Sequence, residues 1–446
     1  MFHFAVPSII AMLVGSIYNI VDQFFIGHYV GILGNSATNV AFPLTTCCLA
    51  LALMFGIGGS SAFNLTMGRG DREQAPHYVG VSLTALVVSG VLLSAVTLLF
   101  MTPMLRLFGA PADVMPYARD YVSITALGFP ALILTTGGGH LMRADGSPHM
   151  TMICSVSGAV INVFLDALFV AVLGMGMQGA ALATILGQLF SACQVIWYFS
   201  CRFRTVPLQR KHLRPDLHML GKVTSLGAAI CFNQLTFLLV QVVMNNSLRH
   251  YGALSVYGPS VPLAAVGIVM KVNQLFFGII IGIGQASQPI ISYNYGARKY
   301  NRVRKAFLIA CGAGAVVSFV TFGLFQLFPR QLLALFGDGS EAYFECGEKF
   351  FRIFLLMVFT IFTQPIISSY FTSVGKPIKG IFLSLTRQVL FLVPLLLIFP
   401  LFWGFDGLMW ASPVADGASC IVAIAMAVHE FRGIRKLEAA GGSEMQ

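Results

Sequence analysis

The run VGVSLTALVVSGVLLSAVTLLFM, residues 79–101, passes through 23 positions without a single charged side chain. Coiled as an α-helix at 1.5 Å per residue it is about 34 Å long, enough to cross a hydrocarbon core of about 30 Å. Working outward, runs of the same kind recur between polar or Gly/Pro breaks. They fall near 4–27, 36–63, 79–101, 116–141, 149–173, 177–200, 219–248, 261–290, 306–328, 350–373, 378–402 and 407–429. Twelve such runs predict an all-α polytopic membrane protein with twelve transmembrane helices.

Composition agrees. Of 446 residues, 57% are hydrophobic and only 10% charged, against about 25% charged in a soluble domain. The mean hydropathy is +0.81. So few charges cannot coat a water-exposed surface of this size, and a soluble enzyme is excluded. The 45 glycines and 19 prolines are a mixture that membrane helices tolerate. The first run begins at Phe2 with no basic region before it and no small-residue cleavage site ahead of Asp22. It reads as a span, not a signal peptide. Most of the nine cysteines, including Cys47, Cys48, Cys154 and Cys311, lie in apolar runs, and no Cys-x-x-Cys occurs. No disulfide or zinc framework is expected.

The chain repeats itself. Leu105-Arg106-Leu107-Phe108-Gly109 returns as Leu333-Ala334-Leu335-Phe336-Gly337, and Gly146-Ser147-Pro148 as Gly375-Lys376-Pro377. Gln178-Gly179 answers to Asp406-Gly407, and Gly56-Ile57-Gly58 to Gly282-Ile283-Gly284. The offset stays near 228 throughout. Shared apolar composition does not explain matches that fall on loop Gly and Pro. We therefore expect two pseudo-symmetric six-helix bundles, at residues 1–201 and 219–430, joined by a linker at 202–218 and followed by a tail at 431–446. An even number of spans per half gives both bundles the same orientation.

Sorting the charge by side orients the chain. With both termini inside, nineteen Lys/Arg fall on cytoplasmic segments and six on outer loops, leaving Lys271 and Arg387 within spans. This satisfies the positive-inside rule. The net charge of +10 is thus a topology signal with some attraction to anionic lipid, and nucleic acid is not an expected partner.

Ionisable groups within the bilayer are costly and mark function by default. Asp22, Asp166 and Asp416 qualify. Asn162 precedes Asp166 by one turn, on the same face, and Tyr18 stands likewise before Asp22. Thr184 lies on the small-residue stretch Gly179-Ala180-Ala181-Leu182-Ala183-Thr184, which permits close helix approach. Two carboxylates, an amide and a hydroxyl can hold a small hard cation. In low dielectric the two acids can also share a proton instead of both staying charged. At the repeat offset Asp166 becomes Leu395, Asn162 becomes Phe391 and Thr184 becomes Ser412, while Val243 stands opposite Asp22. Chemistry found in one half only points to a coupling site in the N-terminal bundle, whereas buried glue between helices is the plainer alternative. Asp416 reads as a local pair or cap, and Lys271 and Arg387 as pairing with carbonyls or snorkelling. The histidines form no i, i+4 pair, so no metal centre is expected.

Several stretches resemble the multidrug and toxic compound extrusion (MATE) family: Tyr18-Asn19-Ile20-Val21-Asp22-Gln23-Phe24-Phe25-Ile26-Gly27-His28 preceded by Pro7, Met67-Gly68-Arg69-Gly70-Asp71, Met142-Arg143-Ala144-Asp145-Gly146-Ser147-Pro148, and Tyr295-Gly296-Ala297-Arg298. The similarity covers essentially the whole chain. It implies a cation-coupled antiporter, driven by H⁺ or Na⁺ and needing no other cofactor, that exports organic and often cationic compounds through a V-shaped cavity between the bundles. It further implies coupling at Asp22, Asn162, Asp166 and Thr184, which would also be the Na⁺ ligands, with Tyr121 in the same network and bending of the first span at Pro7. The acid that some sodium-driven members carry in span 7 is replaced by Asn233 and Gln234, so coupling should rest on the N-terminal bundle. Met54, Asn233, Gln234 and Gln274 are candidate cavity residues.

The expected product of this sequence is thus a monomeric, multi-pass inner-membrane transporter acting on small organic substrates. The nearest rival is a lipid or lipid-linked oligosaccharide flippase, which calls for several intramembrane Arg/Lys to meet pyrophosphate. An intramembrane enzyme would need a nucleophile, metal or Asp-rich constellation that we do not find. A passive pore has no use for acids in one bundle alone.

Overall fold

The computed structural model describes residues 2–108, 110, 114–203, 205, 209–214, 216–257, 261–334 and 341–442. Almost all of them are helical, and no strand occurs among them. Helices follow from the solvent: in hydrocarbon every backbone N–H and C=O must be satisfied within the segment. We name the long helices α1 (Phe2–Tyr29), α2 (Ile32–Gly68), α3 (Ala75–Leu99), α4 (Met115–Ala144), α5 (Pro148–Val172), α6 (Gly176–Arg202), α7 (Leu217–Ala253), α8 (Val261–Gly296) and α9 (Tyr300–Leu327). α10 is a bent pair, Glu341–Phe354 and Val358–Ser373, turning by 45° between them. A final stretch, Pro377–Arg432, is long enough for two crossings. It breaks at Gly404 (φ 55°, ψ −135°), giving α11 (377–403) and α12 (405–442). The count among the described residues is twelve. The tenth helix starts at Glu341, earlier than the apolar run at 350 suggested, because its first turns are polar and carry no hydropathy signal.

Exposed surface agrees with the bilayer as solvent. α3 buries Tyr78, Leu83 and Leu86 yet leaves Val88, Val91 and Leu92 half or more exposed. Leu99, Phe164, Phe319, Leu401 and Phe402 are likewise exposed. Apolar surface on this scale is not left in water.

The repeat is written in the backbone as well. Left-handed residues occur at Gly70 and Arg298, at Gly146 and Gly375, and at Gly176 and Gly404, at spacings of 228, 229 and 228. Short helices Met101–Leu107 and Pro329–Ala334 stand at the same register. Of the repeated loop motif, Gly109 and Leu335–Gly337 lie outside the described residues.

The chain divides into two compact units, Met1–Gln234 and Leu235–Gln446. In the first, α2 packs on α3 and α4, α1 on α5, and α5 on α6, around Leu44, Phe63, Leu86, Leu105, Ile133 and Tyr198. The first half of α7 belongs to this unit because its backbone meets α2 directly. A Cβ at Gly227 would stand 1.8 Å from the Met54 carbonyl oxygen, and one at Gly58 2.0 Å from that of Val223. In the second unit α8 packs on α9 and α10, and α11 on α12, around Phe325, Phe350, Phe351, Tyr370 and Phe371.

Within the connection at 202–218, the turn Arg210–Leu213 is docked on α3. Thr84 donates from Oγ1 to the Leu213 carbonyl at 2.9 Å, Gly80 leaves room for the His212 carbonyl, and the His77 and His212 rings lie 4.3 Å apart. Residues 204, 206–208 and 215 of this connection, and 443–446 of the tail, lie outside the described residues.

Candidate ion-coupling site

Asp22 lies on the last two turns of α1, where that helix packs along α5, and only 7% of it is exposed. α5 carries Asn162 and Asp166 on its buried face, at 3% and 0% exposure. α6 approaches α5 closely enough that a Cβ at Gly187 would stand 3.0 Å from Asn162 Cβ. The small residues of α6 thus bring Thr184, one turn earlier, to the same level. From α4, Tyr121 places its phenol beside the Thr184 hydroxyl and within electrostatic reach of Asp22, Tyr18 and Asp166. Asp166 in turn feels the Asp22 carboxylate. Residues from four helices, α1, α4, α5 and α6, therefore converge in one interior.

The interior leaves polar atoms unpaired. Among the described residues, Asp22 Oδ1, both carboxylate oxygens of Asp166 and both polar atoms of the Asn162 amide are buried with no hydrogen-bond partner. Buried polar atoms are nearly always paired, and an unpaired buried carboxylate is costly. Buried carboxylate oxygens left unpaired are suited to a proton or a small hard cation. Asp166 also ends the regular part of α5: the next six residues, Ala167–Val172, wind as a π-turn, a feature frequent at functional sites.

Pro7 is buried inside α1, but at 1.5 Å per residue it stands about 22 Å along the helix from Asp22. Met54 packs against the hydrophobic core of the first unit, its carbonyl against Gly227. Asn233 and Gln234 are half-buried on α7, and Gln274 is exposed on α8, in the second unit. Lys271 is exposed. Arg387 does not pair with helix carbonyls: its Nε bonds Asp416 Oδ1 at 2.5 Å, and Ser412 donates to Asp416 Oδ2 at 3.1 Å. Sequence reasoning treated Arg387 and Asp416 separately because nothing in their spacing links α11 to α12.

The MatE family model matches the chain twice, over residues 7–168 and again over 229–398. The chain belongs to the MATE family. This MATE protein is therefore a multi-pass membrane transporter and not an enzyme. It is 24% identical to the multidrug export protein MepA of Staphylococcus haemolyticus, over 95% of this chain and 92% of that one. It is 30% identical to the MATE multidrug transporter DinF-BH, whose structure was solved as a complex, with a TM-score of 0.89 over 97% of this chain and 95% of the other. An outward-facing MATE transporter of the MOP superfamily shares its fold at a TM-score of 0.90 and 21% identity, over 97% and 95%.

Proposed function

We propose that this MATE protein is a secondary antiporter that exports organic, cationic and amphipathic compounds in exchange for H⁺ or Na⁺. The observation that carries the reading is the set of unpartnered oxygens at Asp22, Asn162 and Asp166, buried in the first unit alone. Leu395 and Phe391 stand at the matching positions of the second. A cation taken up there, with Thr184 and Tyr121 completing the surroundings, relieves the repulsion between the two carboxylates. The first span then rearranges about Pro7, and substrate affinity falls on the outward side. By linkage, substrate binding must weaken cation binding by the same factor.

The multidrug export named for the MepA relative and the multidrug transport named for DinF-BH support a drug-like substrate. The surplus of Lys and Arg on alternate connections supports an inner-membrane location with both termini cytoplasmic. The repeat supports two bundles, 1–201 and 219–430, working against each other in a monomer. A flippase would need several uncompensated intramembrane cations, and Arg387 is already paired with Asp416.

The test is efflux of a fluorescent organic cation from inverted vesicles, with pH and Na⁺ gradients imposed separately. Transport driven by one gradient and lost in Asp22→Asn is the expected result. Gradient-driven transport that Asp22→Asn leaves unchanged overturns the coupling assignment.

A further inference from the structure

The second unit carries its own buried acid. Asp416 lies about three turns into α12 at 4% exposure, and Arg387 lies in α11 with its side chain 16% exposed. Arg387 is ten residues beyond Pro377, about 15 Å into the helix, so this pair stands well inside the span. At the repeat spacings shown by the left-handed residues, Ser412 matches Thr184, Asp416 matches Gln188, Ser419 matches Ser191 and Arg387 matches Gly158. In the first unit Gly158 is where α5 and α6 touch: a Cβ there would stand 2.0 Å from Ser191 Oγ. The second unit puts the bulkiest cationic side chain at the position where the first tolerates no side chain. α11 winds as a π-turn over Thr386–Leu392 where it does so.

The chemistry of the two interiors is therefore reversed. The first holds carboxylate oxygens with no hydrogen-bond partner among the described residues. The second holds a carboxylate whose two oxygens are taken by a guanidinium and a hydroxyl, the charge-assisted bond being the strong one. Removing the guanidinium would leave a buried carboxylate beside a hydroxyl, oxygen groups of the kind that take a small cation.

We infer that Arg387 is a tethered cation: it fills from within the chain the place that an exchangeable ion would otherwise take at Asp416, and so confines ion uptake to the first unit. Arg387 is on this view a specificity-determining residue for ion stoichiometry. The inference builds on the reading of the chain as an ion-coupled antiporter, but the state of the second unit can be read without transport.

Bound ²²Na⁺, and protons released to a pH indicator, are counted per chain on the purified full-length protein. The proteins compared are wild type, Arg387→Lys, Arg387→Gln and the double variant Arg387→Gln/Asp416→Asn. We expect Arg387→Gln to hold one more Na⁺ or H⁺ than wild type, and Arg387→Lys and the double variant to hold the wild-type number. The extra ion must persist when Asp22→Asn and Asp166→Asn are added, which separates it from the first-unit site. If the extra ion appears while the first-unit variants change nothing, the coupling assignment fails and the tethered cation stands. An ion count in Arg387→Gln equal to wild type overturns the inference.

Folding is covered by a melting series. Arg387→Gln should gain thermal stability with rising Na⁺ or falling pH, whereas the double variant should not. An Arg387→Gln protein that neither Na⁺ nor acid restores overturns the inference as well.

Discussion

Asp166, fully buried at the end of the regular part of α5, feels the carboxylate of Asp22 on α1, and among the described residues no hydrogen bond to either Asp166 oxygen or to Asp22 Oδ1 offsets the cost of burying them. An arrangement of this kind is stable only with a cation or proton present. Asp22→Asn and Asp166→Asn should therefore each uncouple export from the ion gradient. The ratio of substrate accumulated with and without the gradient should fall by about 5–150-fold, the range of ordinary coupling energies. Vesicle uptake under an imposed gradient measures it.

Asp416→Asn should behave in the opposite way. With the pair in place, the substitution strands a buried guanidinium, which costs about 3–5 kcal/mol. The protein should melt earlier in detergent, while transport by the surviving fraction keeps its ion dependence. Thermal unfolding of the single variant beside the Arg387→Gln/Asp416→Asn double, which should recover much of the loss, checks this.

The α2–α7 contact predicts an intolerant glycine. Gly227→Ala would drive a methyl to 1.8 Å from the Met54 carbonyl oxygen, and both partners are backbone. We expect a loss of about 1–3 kcal/mol from the forced separation. Gly221→Ala on the same helix, where nothing lies within 4 Å, should be neutral. Melting temperatures of the two variants decide it.

Arg298 holds φ at +56° where the first half has Gly70 at +87°. A side chain in this region costs about 1–2 kcal/mol. Arg298→Gly should therefore be tolerated or stabilising by about 1 kcal/mol, and Gly70→Arg destabilising by a similar amount. Unfolding in detergent reads both.

The docked turn of the connection should loosen in acid. Burial, with His77 and Lys211 adding, holds His212 below its usual value of 6.5, and its Nδ1 accepts a hydrogen bond from the Gln209 N–H at 3.1 Å, a role the imidazolium cannot play. The docked form thus binds its proton less tightly than a free histidine. Docking is complete above pH 6.5 and weakens as the pH falls through and below that value. Amide exchange at 210–214, corrected for intrinsic rates, should speed up between about pH 7.5 and about 5.5. His212→Gln should flatten the response.

The span count, the repeat and the sites of expensive charge were legible along the chain. Asp22, Asn162, Asp166 and Thr184 stood out because a polar group in an apolar run is conspicuous. Tyr121 was reachable only by resemblance, since a tyrosine in a helix is ordinary until its neighbours are known. The bend in α10 left no trace in hydropathy, and its first turns were too polar to be read as span. The packing of Met54 against the core was equally invisible, because an apolar residue in an apolar helix carries no sign of which neighbour it meets.

The sequence by itself determined that this is a twelve-helix membrane transporter with a repeated half. Transfer into lipid is a sum over the residues of one segment, and repetition is a property of order alone. The tertiary structure decided which buried charges stay open and which are closed. Asp166 has its like neighbour on α1 and no hydrogen-bond partner among the described residues, whereas Asp416 has its opposite on α11. Whether a carboxylate is a site or a clasp depends on what a second helix brings within about 3 Å of it, and no run of residues along one helix contains that distance.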